Sequence, residues 1–415
     1  MKKIYNNKMF MKLFLSDLIS NLGDILYYLA LMNFIVETHM GNWVISILTL
    51  SESIPILLSF ILGYFADKTI RRIDTIKITL ILRFFFYTIL MFVIGTKHSL
   101  LIVLVAIIVN FFSDILGQFE NLLYYPIYKR VIEDEDREEF QSFKQTTQIS
   151  LSVLFQGIGG ILIMIMSYKL LAFINAMTFL ISLLIVKSLT NQLNPILETN
   201  ASPQSRSQPE SFKLSQLFAE LKESVNLLKQ IDEISVTLVS VPLLNSGIAV
   251  LYPMILLFLS QDQTFSIVNT ETTLSLFLIL ETCGSILGGY LTMTLKRLKN
   301  WTITRILIFE IIAMLVLFLA FWIHNIYIVL VGIFTLELLN AIINPKFNTK
   351  IYNNLNEEKL GVVFGGMVTY FSIGDFLSRI LFSILILLLS PSHIALIYVM
   401  VSVCLLIYLL KGKIE

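Results

Sequence analysis

The chain has 415 residues, of which 56% are hydrophobic and 14% charged, with a net charge of +1 and a mean hydropathy of +0.81. Soluble domains carry roughly 25% charged residues and their cores stop growing beyond about 250–300 residues, so a single large soluble core is excluded. The near-neutral balance gives no electrostatic case for nucleic acid, and two cysteines, Cys283 and Cys404, both inside apolar stretches, argue against a disulfide framework.

Apolar stretches long enough to cross about 30 Å of hydrocarbon as helices recur from end to end. In chain order they cover residues 10–36, 43–65, 76–95, 100–124, 145–166 and 170–186, then 234–260, 272–295, 302–322, 326–344, 361–389 and 394–410. The ten-residue alternation of a membrane barrel is absent, which predicts an all-α integral membrane protein of twelve spans. The first stretch is too long for the apolar region of a signal peptide and contains Asp17 and Asp24, so it reads as a retained span.

Basic residues alternate between the two sets of loops. One set holds Lys2, Lys3, Lys8, Lys12, Lys68, Arg71, Arg72, Lys77, Lys129, Arg130, Arg137, Lys144 and Lys187 in the first half. It continues with Arg206, Lys213, Lys222, Lys229, Lys296, Arg297, Lys299, Arg305, Lys346, Lys350, Lys359, Lys411 and Lys413, which makes 26 of the chain's 30 basic residues. The opposite loops hold only Lys97 and Lys169. The positive-inside rule then places both termini in the cytoplasm and requires an even number of spans, as expected of a multi-pass protein of a bacterial-type inner (plasma) membrane.

The one long break, residues 188–233, begins with Asn194-Pro195 and a stretch rich in Ser, Gln and Pro, a linker's composition. Leu214, Leu217, Phe218, Leu221, Val225 and Leu228 then recur at helical spacing beside Lys213, Lys222 and Lys229, which predicts an amphipathic helix. The break divides the chain into six spans within 1–187 and six within 234–415. These halves echo each other. Pro126, read as a helix end before an acidic run, is matched by Pro345 before Glu357 and Glu358, and Gly63 is matched by Gly289. Pseudo-repeated six-helix bundles are a transporter architecture, with the substrate site at the repeat interface.

The stretch Gly63-Tyr-Phe-Ala-Asp67-Lys68-Thr-Ile70-Arg71-Arg72 resembles the loop signature of the major facilitator superfamily, with Ile70 where the family usually has glycine. Ser20-Asn-Leu-Gly-Asp24 and residues 217–225 are similar to the branch containing macrolide-efflux and siderophore-export proteins. The resemblance implies the major facilitator fold, secondary active transport without a cofactor, and a cytoplasmic gate in which Gly63, Asp67, Lys68, Arg71 and Arg72 latch the two halves in the outward-facing state. Two departures bear on mechanism. Many relatives carry an arginine in the fourth span, where this chain has Asp114, Glu120 and Asn121. The fifth-span Gln156-Gly157-Ile158-Gly159-Gly160 lacks the proline of drug/proton antiporters.

An ionised side chain at a span's centre costs ~2.5–3.5 kcal/mol on insertion scales, so it faces the bundle interior or a water-filled cavity. Asp17, Asn21, Asp24 and Tyr28 form one polar stripe on the first span; Asn110, Asp114 and Asn121 form a second on the fourth, and Glu337, Asn340 and Asn344 a third on the tenth. Counting ~1.5 Å per residue puts Asp24, Asp114, Asn245, Glu281, Glu337 and Asp375 near one depth, the expected wall of a central substrate and proton cavity. Arg83 and Glu310 fall nearer the cytoplasmic side, where they can snorkel, and Asp375 and Arg379 are spaced to pair. Asp24 is the first candidate for proton coupling, followed by Asp114 and Glu337. The aromatic supply, including Phe84, Phe111, Tyr125 and Phe371, suits an amphiphilic solute.

No phosphate-binding loop, metal-ligand Cys/His spacing or nucleophile elbow is present, so an enzyme, a cofactor and a resident metal are not expected. The expected function is export of a hydrophobic or amphiphilic small molecule by proton antiport, as a monomer partnered by solute, protons and lipid. Import or facilitated passage of a small polar solute is the alternative transport reading, and a membrane sensor or immunity protein is the alternative outside transport.

Overall fold

A computed structural model describes residues 2–37, 42–94, 100–198, 222–223, 225–231, 233–262 and 265–411. Most of the expected linker helix, residues 211–228, lies outside them, as do His39, His98 and Lys97. Every regular element among the described residues is helical. Among the described residues ten helices are long and apolar enough to cross a membrane, and the bent pair Leu50–Leu57 and Ser59–Lys68 makes an eleventh. The fifth expected span overlaps the helix Arg137–Ile165, which starts eight residues earlier and ends one residue sooner. Large apolar side chains such as Phe92, Leu101, Val331, Leu387 and Leu388 are exposed on the outer faces, where lipid rather than water satisfies them.

Prolines shape these helices without ending them. Pro126 and Pro345, read from the sequence as helix ends, lie inside Leu100–Val131 and Ile326–Asn354, and Pro195 lies inside Tyr168–Glu198. A proline costs one intrahelical hydrogen bond, which packing against neighbouring helices offsets in a bundle. At ~1.5 Å per residue the 32-residue helix Leu100–Val131 is half as long again as the hydrocarbon is thick, so it continues beyond it. At the break in the second span the backbone is served by a side chain. The second span bends by 46° at Leu58, three residues after Pro55. There Thr369 Oγ1 accepts from the Phe60 N–H at 3.0 Å and donates to the Leu57 carbonyl at 3.1 Å. Asn269 and Thr302 cap the eighth and ninth helices, accepting from the Thr272 and Arg305 N–H groups.

The chain forms two compact units. The first comprises Met1–Asp134, Leu151–Val225 and Leu355–Thr369. In it the first span, Lys8–Glu37, and the third, Arg72–Val93, both pack on the sixth, Tyr168–Glu198. The second comprises Glu135–Ser150, Asn226–Asn354 and Tyr370–Glu415. Its eighth span, Thr270–Thr294, packs on the tenth, Ile326–Asn354, and its ninth, Ile303–Trp322, touches the tenth and the twelfth, Pro391–Lys411. Each unit thus takes in a short segment from the other half of the sequence.

Glycines admit both inserted segments. In the first unit a Cβ at Gly63 would stand 2.1 Å from the Gly361 carbonyl oxygen, and one at Gly365 2.2 Å from that of Ser59. Gly361-Val-Val-Phe-Gly365 is the small-xxx-small spacing that lets helix backbones touch in lipid. In the second unit a Cβ at Gly289 would stand 1.8 Å from Thr146 Oγ1. Gly365→Ala is accordingly expected to force the helices apart at a cost of ~1–3 kcal/mol. The check is the thermal unfolding midpoint of the detergent-purified protein, which should fall clearly below that of the parent.

Candidate functional site

The first unit is organised around one buried guanidinium. Arg83, on the third span, is 2% exposed and does not snorkel as its sequence position suggested. The third span packs on the sixth, which encloses its inward face. Arg83 Nη2 donates to Asp24 Oδ2 on the first span, and Nη1 approaches Glu120 Oε2 on the fourth at 3.7 Å. Nε donates to Ser113 Oγ and Nη1 to Ser20 Oγ, each at 3.0 Å. The guanidinium carbon stands 4.1 Å from the centre of the Phe179 ring, a cation–π contact. Gly117 leaves the room it needs, since a Cβ there would come within 3.2 Å of Nη2. One cation therefore links the first, third, fourth and sixth spans.

The flanking carboxylates have different surroundings. Asp24 keeps 24% of its side chain exposed and lies beside Asn175 of the sixth span as well as Arg83. Glu120 is 3% exposed and accepts from Thr79 Oγ1 at 3.3 Å. Asp17 Oδ1 accepts from Asn21 Nδ2 at 2.8 Å, the first-span stripe closing on itself at i, i+4. A second network centres on Asn110. Its Nδ2 donates to Glu52 Oε1 at 2.5 Å and Asp114 Oδ2 at 2.8 Å, and its Oδ1 accepts from Tyr87. Glu52, beside the Pro55 kink, belongs with Asp114 in one acidic pair.

In the second unit the tenth-span stripe also forms a chain. Asn344 Nδ2 donates to Asn340 Oδ1 at 3.0 Å, and Asn340 bonds Glu337 in turn. Asn340, Asn344, Asn245 and Glu310 line a cavity of about 140 Å³ with Val241, Leu244, Ile343, Phe347 and Phe371. Glu310, the other residue expected to snorkel, is 3% exposed and faces this cavity. Glu337 lies within electrostatic range of both Glu281 and Glu310. Among the described residues none of the three is in an ion pair. Asp375 lies within electrostatic range of Arg379 without a contact-distance ion pair, and Arg379 is exposed.

The loop motif gathers in the first unit at the start of the helix Leu360–Leu388. Asp67 Oδ1 accepts from the Gly361 N–H and Oδ2 from the Val362 N–H, both at 2.7 Å. A carboxylate here meets unsatisfied donors and the positive end of the helix dipole. Arg72 lies within electrostatic range of Asp67, Glu357 and Glu358, and Arg130 pairs with Glu357. Lys68 donates to the Tyr64 hydroxyl and lies 4.1 Å from that ring's centre, while Arg71 is exposed. Ile70 is tolerated because only Glu233 and His324, among the described non-glycine residues, have positive φ. This turn makes no demand that glycine alone could meet.

Sequence reasoning missed Glu120 as a site partner, together with Ser20, Thr79, Ser113, Asn175 and Phe179. Asn175, Thr178 and Ser182 follow i, i+3, i+7 on the sixth span, a polar stripe that could have flagged the face receiving Gly23 and Arg83.

The profile of the Major Facilitator Superfamily matches residues 9–378. No curated protein sequence matches the chain. Among solved structures, a bacterial homologue of the iron transporter ferroportin in an outward-facing state is similar at 15% identity, with a TM-score of 0.69 over 98% of this chain and 100% of that one. The human organic anion transporter MFSD10 (TETRAN) is similar at 13% identity and a TM-score of 0.64, over 96% and 98%. The proton:xylose symporter XylE is similar at 15% and 0.61, over 97% and 96%.

Proposed function

This chain belongs to the major facilitator superfamily, and we propose that within it the protein exports a hydrophobic or amphiphilic small molecule by proton antiport, as a monomer with both termini cytoplasmic in the inner (plasma) membrane. The bundles are residues 1–187 and 234–415, joined by a cytoplasmic linker over 188–233, and the branch is the one holding macrolide-efflux and siderophore-export proteins. The observation that carries the reading is the Asp24–Arg83–Glu120 cluster. One buried cation stands between two carboxylates, of which only Asp24 retains partial exposure. A proton arriving on Asp24 cancels its hold on Arg83 and leaves the guanidinium to Glu120. Because the cation links four spans, that exchange is a means of turning protonation into helix movement.

Asp17 and Asn21 extend this polar face on the first span. Asp114, paired with Glu52 through Asn110, is the second proton carrier and Glu337 the third. Asn245, Glu281 and Asp375 complete the polar wall in the second unit. The loop motif of Gly63, Asp67, Lys68, Arg71 and Arg72 serves as the gate, with Asp67 on the amide groups of Gly361 and Val362 as its working contact.

Efflux of lipophilic dyes and antibiotics from proteoliposomes, with and without an imposed pH gradient, tests the reading. The parent protein is expected to extrude panel members only with the gradient, and Asp24→Asn to lose that dependence with at least about a tenfold drop in rate. Undiminished, gradient-dependent efflux in Asp24→Asn would remove Asp24 from the mechanism. Movement of solute into the lipid-enclosed side that corresponds to the cytoplasm would reverse the direction proposed.

A further inference from the structure

The third and ninth spans bury the same register. Ile76, Thr79, Leu80, Tyr87 and Leu90 on the third, and Ile303, Ile306, Leu307, Met314 and Leu317 on the ninth, are all buried. Each pair is separated by 227 positions, and the same offset places Glu310 opposite Arg83. The repeat therefore sets a buried charge at the equivalent point of each unit, with the sign inverted.

The two charges differ in what surrounds them. Arg83 has a full set of partners: Asp24, Glu120, Ser20 and Ser113. Glu310 has neither a hydrogen bond nor an ion pair among the described residues, although its side chain is 3% exposed. It faces the cavity of about 140 Å³ instead. No lysine or arginine lines that cavity, and the charged group nearest in effect is a second carboxylate, Glu337, with Glu281 beyond it. A desolvated carboxylate without a counter-charge is strongly disfavoured. The second unit thus lacks the cation that the first carries in its own sequence.

We propose that the Glu310 cavity binds a single organic ammonium group, the cationic head of an amphiphilic amine. An ammonium has three donors and no acceptor, and the walls match that pattern. Glu310 supplies the charge, and the carboxamide oxygens of Asn245 and Asn344 supply further acceptors. Asn344 already donates its amide to Asn340, so its oxygen is the group left for a ligand. Phe347 and Phe371, with ring centres 6.3 Å apart, give the carbon part an apolar and π-rich surface. At about 30 Å³ per water the volume takes an ammonium and several carbons. A bare alkali ion would use the oxygens but has no carbon part for the apolar walls to cover. This deepens the export reading by naming its solute class, and it rests on that reading only for the claim that the bound amine is cargo.

Equilibrium binding to the full chain in detergent, at constant ionic strength and with no gradient, separates this site from the question of pumping. The probes are 2-phenylethylamine hydrochloride, the neutral 2-phenylethanol and sodium chloride, read by calorimetry. Expected are saturable binding of the amine, at least about tenfold weaker binding of the alcohol, and a similar loss of amine binding in Glu310→Gln. Asn340→Lys, which brings a tethered ammonium to the cavity, is expected to abolish amine binding and raise the thermal unfolding midpoint. It carries the test if Glu310→Gln does not fold. Absence of amine binding in the parent protein, equal binding of amine and alcohol, or binding unchanged in Glu310→Gln would overturn the proposal. So would saturable sodium binding without amine binding, or Asn340→Lys lowering the midpoint while amine binding persists.

Discussion

Replacing Arg83 by methionine is expected to destabilise the protein by about 3–5 kcal/mol, the range seen when one partner of a buried ion pair is removed. The cost does not come from the lost contacts alone. Methionine fills much of the same volume and can still pack on Phe179, but it leaves Asp24 and Glu120 without a counter-charge, the latter in a nearly fully enclosed site. Ser20 and Ser113 also lose the donors they accept from. Arg83→Lys keeps the charge but, as a compact point charge without the planar fork, cannot serve Asp24, Glu120 and both serines at once. It should fall between the two. The decisive comparison is Arg83→Met with Asp24→Asn and Glu120→Gln. Removing all three charges together should recover most of the loss, because replacing a whole buried ionic cluster is often close to neutral. Denaturation midpoints of the four detergent-purified proteins give the cycle. An Arg83→Met protein as stable as the parent would mean that no net ion-pair stabilisation resides there, and the proposed exchange between Asp24 and Glu120 would lose its basis.

What could be read from the sequence was what one helix decides by itself. The stripe of Asp17, Asn21 and Asp24 follows from helical spacing, and Asn21 does bond Asp17. The tenth-span stripe likewise closes through Asn340 and Asn344. Hydropathy found the spans because a lipid-exposed helix must be apolar along its whole crossing. Pairings between helices leave no such periodic mark. Arg83 meets a carboxylate 59 positions before it, and nothing local distinguishes that from snorkelling toward a nearby loop. The same holds for Glu310, whose burial is set by the neighbours of the ninth span. Prolines misled for a different reason. The preference against proline within a helix is a soluble-protein prior, and Pro126 and Pro345 sit buried where bundle packing overrides it, while Pro195 is exposed near the end of its helix. Nor could hydropathy show residues 135–150 and 355–369 joining the unit built mainly from the other half, since hydropathy reports how apolar a segment is and not which helices it packs against. Of the glycines that admit them, only Gly63 and Gly289 stood out in the sequence, while Gly361 and Gly365 show their role only in the packing.

Asp67→Asn is expected to be nearly as damaging as Asp67→Ala, although asparagine is almost isosteric with aspartate. Both carboxylate oxygens are occupied, each by a backbone N–H at 2.7 Å. Asparagine offers one acceptor and turns an NH2 group toward the other donor, so one bond is lost and a donor–donor contact replaces it. The negative charge at a helix N-terminus goes as well. Charge-assisted hydrogen bonds contribute about 1.5–3 kcal/mol each, which places the loss at ~2–4 kcal/mol for either variant. Asp67→Glu keeps the charge but adds a methylene in a space where Gly361 already lies against the carboxylate, so it should not rescue. Hydrogen–deuterium exchange of a peptide spanning residues 357–366 provides a local readout. The Gly361 and Val362 amides should be protected in the parent protein and exchange much faster in Asp67→Asn, while the neighbouring Arg130–Glu357 pair keeps the segment folded. If the contact is the working part of a gate, efflux in the proteoliposome assay should fall by about tenfold or more in the same variant. Fast amide exchange with undiminished efflux would make Asp67 a helix cap and nothing more, and the gate would have to be sought among Arg72, Glu357 and Glu358.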